Sequence, residues 1–249
     1  GQFESGQLDP DGPPVAVDWA SPEGRKRLLR SKYNNDYFEL SSNFQPQINP
    51  LYCGIASSVI VLNSMRLPLG QVPSQAGIEI SKPEAIGGGT LKYPAYSQLT
   101  LLGMNTDRVK DRDVIELKSR NTKGQYNPGL TLEQLQGILE SYGATVELHH
   151  AKSIADKDIN AFRVTLQKVL ADNEHYIIVN INGRVYGAAT DGHISPLAAY
   201  DEVSDSVLIL DVAGYLNPWH WVAVKDLYAA MHTKDGDNYR GYLVVSDKP

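Results

Sequence analysis

The sequence predicts an α+β fold, with helices mainly in the first part of the chain and an antiparallel sheet in the last. Ile55, Val59 and Leu62 recur at the spacing of one buried helix face, which predicts a helix over residues 53–65. From residue 176 onward, short apolar runs are separated by turn residues. They predict strands over 176–181, 194–200, 207–212, 219–224 and 242–245. Strands that follow one another directly favour an antiparallel sheet.

Local signals predict the remaining elements. Ser21 as N-cap, with Pro22 at the first helical position, predicts a short basic helix over residues 21–30. Thr131 and Gln134 have the spacing of a capping box at the start of an amphipathic helix. A strand over 144–150 and a helix over 158–172 complete the set.

The predicted organisation is an N-terminal arm over residues 1–20, rich in Gly, Pro and Asp, followed by one domain over 21–249. Within that domain, periodicity is weak over about 70–130, which predicts an insertion of helices interrupted by a long loop. The run 87–89 consists of three glycines, but we disfavour a phosphate-binding loop there. No strand is predicted before the run, and no Gly-Lys-Ser/Thr follows it.

Composition excludes several classes of protein. Among 249 residues, 42% are hydrophobic and 21% charged, which is typical of a globular protein and not of a disordered or fibrous chain. No apolar run reaches the roughly 18 residues that a membrane span needs, and the net charge of −6 argues against a nucleic-acid partner. The printed chain begins at Gly1, and both a periplasmic location after signal removal and a cytoplasmic location stay open.

The sequence has a single cysteine, Cys53, which excludes an intramolecular disulfide and a cysteine-rich zinc site. Cys53 lies at the predicted start of a helix, where free backbone N–H groups favour a negative charge. Because the thiolate is the nucleophilic form of cysteine, Cys53 is a candidate nucleophile. The alternative is a buried structural thiol.

A nucleophilic cysteine needs a base, and His193 is the best candidate among six histidines. His193 opens a predicted strand, and a turn near residues 202–203 brings Asp211 opposite it within about two residues of register. Asp211 would orient the imidazole and stabilise its charged form, although a turn residue is an equally good interpretation. His149 and His150 make a poor metal pair because adjacent strand residues point to opposite faces.

The remaining histidines, His175, His220 and His232, have nothing distinctive nearby and are predicted to be surface or packing residues. Cysteine-dependent acyl transfer also needs donors for the oxyanion. The backbone N–H of Cys53 is one candidate. The side-chain amide of Gln47 or of Gln45 is the other, and spacing does not choose between them.

The sequence around these residues resembles the phytochelatin synthase family. The resemblance lies in QPQINPLYCGIAS at residues 45–57, DGHISPL at 191–197, DSVLILDVA at 205–213 and PWHWV at 218–222. It implies a papain-like cysteine peptidase fold, a Cys53–His193–Asp211 triad and Gln47 as the oxyanion donor.

The resemblance also implies glutathione as the substrate. Attack by Cys53 would release glycine and leave a γ-glutamylcysteinyl thioester, which either water or a second glutathione resolves. The implied substrate-binding residues are Arg240, Gly192, Asn180 and Arg184, with Arg240 holding a carboxylate. No cofactor is expected, and Cd²⁺ or Zn²⁺ would act as a glutathione thiolate complex.

We expect hydrolysis to γ-glutamylcysteine and glycine to dominate, with minor transfer to a second glutathione. The chain is similar to short bacterial members, which are associated mainly with hydrolysis and lack the cysteine-rich second domain of eukaryotic members. It also has Gly183 and Ala188 where the family commonly has Arg and Gln. The alternatives are a papain-like peptidase or amidase on another γ-glutamyl or peptide substrate, and a non-catalytic thiol-binding module. A homodimer stays open.

Overall fold

The computed structural model describes residues 16–247. Its strands are β1 (Val17–Asp18), β2 (Ile78–Ser81), β3 (Thr90–Tyr93), β4 (Thr145–His150), β5 (His175–Asn182), β6 (Gly192–Asp201), β7 (Ser206–Ile209), β8 (His220–Ala223), β9 (Lys234–Asp235), β10 (Asn238–Tyr239) and β11 (Gly241–Ser246). Its α-helices are α1 (Pro22–Arg30), α2 (Asn35–Ser42), α3 (Cys53–Arg66), α4 (Met104–Asp107), α5 (Arg112–Ile115), α6 (Leu132–Ser141), α7 (Asp156–Val169) and α8 (Val224–Met231).

The central feature is a seven-stranded antiparallel sheet in the order β1-β8-β7-β6-β5-β11-β4. Helices cover both of its faces. On one face α3 and α6 pack with Ile178, and on the other α7 and α8 pack with Ile177. Successive residues of a strand point to opposite faces, so the two layers bury alternate residues of β5. The predicted α+β class is confirmed.

The helix starts follow the predicted caps. Ser21 Oγ accepts a hydrogen bond from the Gly24 N–H at 3.0 Å, and Pro22 is the first helical residue. The Thr131 N–H donates to Gln134 Oε1 at 2.9 Å, and the Gln134 N–H donates to Thr131 Oγ1 at 3.2 Å. The predicted capping box is therefore confirmed, and it fixes the start of α6.

The predicted arm needs a correction. Residues 1–15 lie outside the described part of the chain, but residues 16–20 belong to the fold. Val17 pairs with Trp221 and is buried, so β1 forms an edge of the sheet. Its two residues are too few for periodicity to reveal a strand.

The predicted insertion also differs in detail. Residues 70–130 contain the short helices α4 and α5, two 3-10 turns (Ser74–Ala76 and Glu84–Ile86), and a hairpin of β2 and β3 that the prediction missed. Gly87, Gly88 and Gly89 all have positive φ angles and form the turn of this hairpin. A strand does precede the glycine run, contrary to expectation, but the chain returns as β3 and does not enter the helix that a phosphate loop requires.

No helix within residues 16–247 is long and apolar enough to cross a membrane.

Candidate active site

Cys53 is the first residue of α3, as predicted. Every other residue of this helix is buried, whereas Cys53 is partly exposed. The first backbone hydrogen bond of the helix runs from the Ala56 N–H to the Tyr52 carbonyl at 2.8 Å. The N–H groups of Cys53, Gly54 and Ile55 precede this bond, so this end of the helix presents its donors and the positive end of its dipole.

His193 and Asp211 lie in direct contact. His193 Nε2 is 2.7 Å from Asp211 Oδ1, and the two residues are 4% and 1% exposed. β7 ends at Ile209, so Asp211 lies beyond the strand that we predicted to continue to residue 212. The register of β6 against β7 shifts between Leu197 and Ala199, and beyond the last strand pair the Leu210 N–H still donates to the Pro196 carbonyl at 3.1 Å. The predicted two-residue offset still brings the two side chains together.

The contact keeps the imidazole charged. Burial alone would lower the pKa of His193, but the Asp211 carboxylate and hydrogen bonds to Asp211 and Cys53 raise it to about 10. Burial likewise would raise the pKa of Asp211, but the His193 charge and hydrogen bonds from His193 and the Ala213 N–H lower it. Near neutral pH the buried pair is therefore an imidazolium and a carboxylate.

Cys53 on the helical part of the molecule and His193 on the sheet line the same cavity, and Cys53 is among the groups that raise the pKa of His193. An imidazolium beside a thiol stabilises the thiolate and can later protonate a leaving amine. Chemically, such an arrangement can supply a nucleophile, a general acid–base group and a carboxylate that orients it.

Gln47 is buried beside this helix end. Its Nε2 donates to the carbonyl oxygens of Pro50 and Asn49 at 3.0 and 3.1 Å and lies 3.2 Å from the Tyr215 hydroxyl. Its Oε1 is buried without a hydrogen-bond partner among the described residues. The competing candidate, Gln45, accepts a hydrogen bond from the Gln98 side chain at 3.1 Å. The carboxamide of Gln47 is thus held close to residues 49–50, three residues before the nucleophile.

Cys53 and His193 line a cavity of about 260 Å³. Three of the predicted substrate-binding residues, Asn180, Gly192 and Arg240, line the same cavity. The rest of the lining consists of Pro50, Leu51, Pro128, Gly129, Leu130, Ile194 and Asp235.

Arg184, the fourth predicted substrate-binding residue, does not line this cavity. Its Nε lies 3.4 Å from Asp191 Oδ1, and both side chains are exposed. The turn that follows β5 carries Arg184 to the surface, because Asn182 Oδ1 caps the turn by accepting the Arg184 N–H at 3.1 Å.

Arg240 lies immediately before β11 and is anchored on one side. Its Nη1 donates to the Lys234 carbonyl at 2.6 Å and to Thr233 Oγ1 at 3.2 Å. Its Nε is buried and has no hydrogen-bond partner among the described residues. A Cβ on Gly192 would approach Arg240 Nη2 to 2.8 Å, so the glycine makes room for the guanidinium.

Several neighbours of the pair were missed by the sequence analysis. His220, for which we predicted nothing distinctive, is fully buried, and burial lowers its pKa. Its Nε2 lies 2.9 Å from the Tyr186 hydroxyl. Ser195 Oγ lies 3.2 Å from His193 Nε2, and Asn217 Nδ2 donates to Asp211 Oδ2 at 3.2 Å. The apolar neighbours of His220 in the sequence were the signal that could have indicated its burial.

No group of three or more His, Cys, Asp or Glu side chains within residues 16–247 is arranged to hold a metal ion.

Comparison with known proteins identifies the family of the chain. A family model described as phytochelatin synthase matches residues 10–80 and 92–242. Glutathione gamma-glutamylcysteinyltransferase 3 of Lotus japonicus is 27% identical over 238 residues, which cover 94% of this chain and 43% of that protein.

The comparison extends beyond that plant protein. Glutathione gamma-glutamylcysteinyltransferase 1 of Arabidopsis thaliana is 27% identical over 94% of this chain and 42% of its own length. The corresponding protein of Schizosaccharomyces pombe is 23% identical over 88% of this chain and 45% of its own length. The chain thus spans less than half the length of these curated relatives. Because the family model covers most of its residues, the chain belongs to the phytochelatin synthase family.

Proposed function

We propose that the protein cleaves glutathione at its cysteinyl–glycine bond through an acyl-enzyme on Cys53. The observation that carries this proposal is that Cys53 and His193 line one cavity with Arg240, while Asp211 contacts His193 from outside the cavity lining. The names of the relatives support glutathione as the substrate. The arrangement of a helix that carries the nucleophile against an antiparallel sheet that carries the base also supports our proposal of a papain-like fold.

The chemistry follows from the charges of the three groups. The Cys53 thiolate attacks the cysteinyl carbonyl carbon, and the carbonyl electrons move to the oxygen. When the tetrahedral intermediate collapses, the C–N bond breaks and the imidazolium of His193 donates its proton to the leaving glycine amine. Neutral His193 then removes a proton from water, which attacks the thioester and releases γ-glutamylcysteine.

The oxyanion of both intermediates needs hydrogen-bond donors. The Cys53 backbone N–H is one, and we assign Gln47 Nε2 as the other. In this role one N–H of the Gln47 carboxamide turns from the Pro50 carbonyl toward the cavity. Gln45 is the weaker candidate because of its position: its Oε1 accepts from Gln98 Nε2, whereas the Gln47 carboxamide lies against the Asn49 and Pro50 carbonyls just before Cys53.

The cavity matches the amino-acid end of a γ-glutamyl group. Arg240 has an unsatisfied buried Nε and suits an α-carboxylate, and the Asp235 carboxylate in the same lining suits an α-ammonium group. Asn180 Nδ2 lies 3.5 Å from Asp235 Oδ2 and adds a polar group beside it, and Gly192 leaves space for Arg240. Arg184 would contact the substrate only after leaving Asp191.

We propose hydrolysis as the main outcome and transfer to a second glutathione as the minor one. In both, Cd²⁺ or Zn²⁺ enters bound to glutathione thiolates as part of the substrate, and no resident cofactor takes part. The enzymatic alternative is a peptidase or amidase that acts on another γ-glutamyl or peptide substrate. The non-enzymatic alternative is a thiol-binding module.

The test is product analysis with glutathione, with and without Cd²⁺ or Zn²⁺, for wild-type protein and Cys53→Ser. We expect glycine and γ-glutamylcysteine from the wild type and neither product from the variant, because a hydroxyl is a far weaker nucleophile than a thiolate. Circular dichroism of Cys53→Ser checks that the fold is intact. Glycine release by a folded Cys53→Ser protein would contradict the proposal, and a wild type that binds glutathione without cleaving it would favour the binding module.

A further inference from the structure

The loop that follows Asp211 places a second buried amide against the carboxylate. Asn217 is 1% exposed. Its Nδ2 donates to Asp211 Oδ2 at 3.2 Å, and its Oδ1 accepts the Ala189 N–H at 3.0 Å. The Asn217 N–H donates to the Ala213 carbonyl at 3.0 Å, so the backbone of the loop holds the side chain in place.

The two oxygens of Asp211 have different partners. Oδ1 contacts His193 Nε2 at 2.7 Å and accepts the Ala213 N–H at 2.8 Å. Asn217 is the hydrogen-bond donor that the described residues supply to Oδ2. Without it, Oδ2 would be a buried, charged oxygen lacking a donor, and rotation of the carboxylate would compete with the contact to His193.

The surroundings offer little to replace this donor. The titratable groups near Asp211 are His193 on β6, His220 on β8 and Tyr186 on the turn after β5. The ring nitrogens of His220 are engaged with the Tyr186 hydroxyl and, at 2.8 Å, with the Pro218 carbonyl. The amide of Asn217 is therefore the group that fixes the plane of the carboxylate.

We propose that Asn217 is a positioning residue that orients Asp211 toward His193 and thereby keeps the imidazole charged and aligned for proton transfer. This inference rests on the proposed function, because it assigns Asn217 a role through the proposed base. Asn217 does not line the cavity that contains Cys53. Its contribution therefore falls on the chemical step and not on substrate binding.

Asn217 also has a purely structural contact, which the experiment must separate. The Oδ1 atom holds the loop at Ala189, whereas Nδ2 serves Asp211. Asn217→Asp keeps the acceptor and the shape but replaces the donor by a carboxyl group. At low pH this new carboxyl is protonated and can donate to Asp211. At higher pH two buried carboxylates repel each other, and the orientation of Asp211 is lost.

Asn63 provides a matched control. It is also buried and also bonds in both directions, with Nδ2 donating to the Tyr96 carbonyl at 3.1 Å and Oδ1 accepting the Tyr96 N–H at 2.8 Å. These contacts hold a loop and involve no carboxylate. Asn63→Asp therefore reports what the same substitution does when the residue is only structural.

The experiment measures kcat and KM for glycine release from glutathione between about pH 5.5 and 8, per folded protein, for wild type, Asn217→Asp, Asn217→Leu and Asn63→Asp. We expect the ratio of kcat for Asn217→Asp to kcat for the wild type to fall by about tenfold or more as the pH rises through this range. KM should stay within about twofold of the wild-type value. We expect Asn217→Leu to lower kcat at every pH. For Asn63→Asp, the ratio of its kcat to the wild-type kcat should not change with pH. If Asn217→Leu fails to fold, the pH dependence of kcat for the isosteric Asn217→Asp still tests the inference.

A readout that needs no turnover completes the test. The His193 ring signal in NMR of resting protein should titrate at lower pH in Asn217→Leu than in wild type, because a freed carboxylate stabilises the imidazolium less. A pH-independent ratio for Asn217→Asp, a change confined to KM or an unchanged His193 titration would overturn the inference. Glycine release by Cys53→Ser would instead overturn the proposed function, so the two failures are distinguishable.

Discussion

At the residue scale, the charge of His193 depends on Asp211. A buried imidazole ordinarily loses its proton, and burial does lower the pKa of His220 in the next strand but one. His193 differs because the Asp211 carboxylate lies 2.7 Å from its Nε2. The two histidines are both buried, yet their partners give them opposite protonation states. We therefore expect substitutions at these two positions to have different consequences.

The first prediction compares these two histidines. His193→Ala should lower glycine release per folded protein by about 100-fold or more, since general acid–base catalysis contributes about that much. Asp211→Asn should be milder, because an amide can still orient the ring without stabilising its charge. His220→Ala should instead lower the unfolding free energy and leave kcat per folded protein within about threefold. If His193→Ala lowered kcat only slightly and His220→Ala lowered it severely, the base would be misassigned.

The second prediction concerns stability against pH. The pKa of His193 rises from 6.5 to about 10 on folding, so the pair stabilises the fold fully below about pH 6.5 and loses this contribution as pH rises toward 10. The pKa of Asp211 falls below its ordinary value of 3.8, so its contribution disappears as pH falls below that value. Urea unfolding should therefore show the largest difference between wild type and His193→Ala at about pH 4–6.5, shrinking toward pH 10. A difference that does not vary with pH would contradict this assignment.

At the element scale, the contacts that bring the site together are specific hydrogen bonds. The Gln47 N–H donates to the Val212 carbonyl at 2.9 Å, which ties the approach to α3 to the segment after Asp211. Ser57 Oγ on α3 lies 3.4 Å from the Ile194 carbonyl on β6. Residues 128–130 form another part of the cavity lining. The buried Nζ of Lys110 holds this segment by donating to the Gly129 carbonyl at 2.7 Å.

The third prediction tests how closely the strands pack beside Arg240. β11 lies between β4 and β5, and a Cβ on Gly241 would be 1.9 Å from the His149 carbonyl oxygen. Because that atom belongs to the backbone, Gly241→Ala should lower the unfolding free energy by about 3 kcal/mol. Gly214→Ala, whose Cβ would have no neighbour within 4 Å, should change it by less than about 0.5 kcal/mol. Equal stabilities of the two variants in urea unfolding would refute this packing argument.

Sequence patterns predicted the elements with strong local signals. The apolar period of α3 and the caps of α1 and α6 each lie within a few neighbouring residues, and the structure bears them out. The β2–β3 hairpin was missed because its side chains are largely exposed and give no buried face to detect. The whole turn between the two strands, residues 82–89, also falls in the gap of the family match, which is residues 81–91.

The residues of the site also divide into those with a local sequence signal and those without one. Cys53, His193 and Asp211 could be proposed from a helix start and one hairpin register. Asn217, Tyr186 and Asp235 could not, because their positions depend on how the loops over 183–191, 213–217 and 233–240 fold against the sheet. Arg184 was expected at the substrate and lies outside the cavity lining, since the turn after β5 directs it toward Asp191.

At the scale of the whole molecule, the balance between hydrolysis and transfer depends on an acceptor site. A second glutathione competes with water only if it is held and oriented, and such positioning can contribute about 7 kcal/mol or more. Arg240 is the arginine in the cavity lining, and we assign it to the donor. Arg184 is engaged with Asp191 and lies outside the cavity lining.

The fourth prediction follows from this cavity. At millimolar glutathione, chromatography should show γ-glutamylcysteine and glycine as the main products and longer thiol peptides as minor ones. The quantity to measure is the molar ratio of longer peptides to γ-glutamylcysteine, with and without Cd²⁺. A ratio above one would show that an acceptor is held efficiently and that transfer is the main reaction.

The central claim is that a γ-glutamylcysteinyl thioester forms on Cys53. The most direct measurement is mass spectrometry of protein that has been mixed with glutathione and quenched in acid, followed by peptide mapping. Because Cys53 is the single cysteine of the sequence, the account predicts one γ-glutamylcysteinyl adduct on the peptide that contains it and none on Cys53→Ser. Glycine release by the wild type without any such adduct, or an adduct on another residue, would contradict the account.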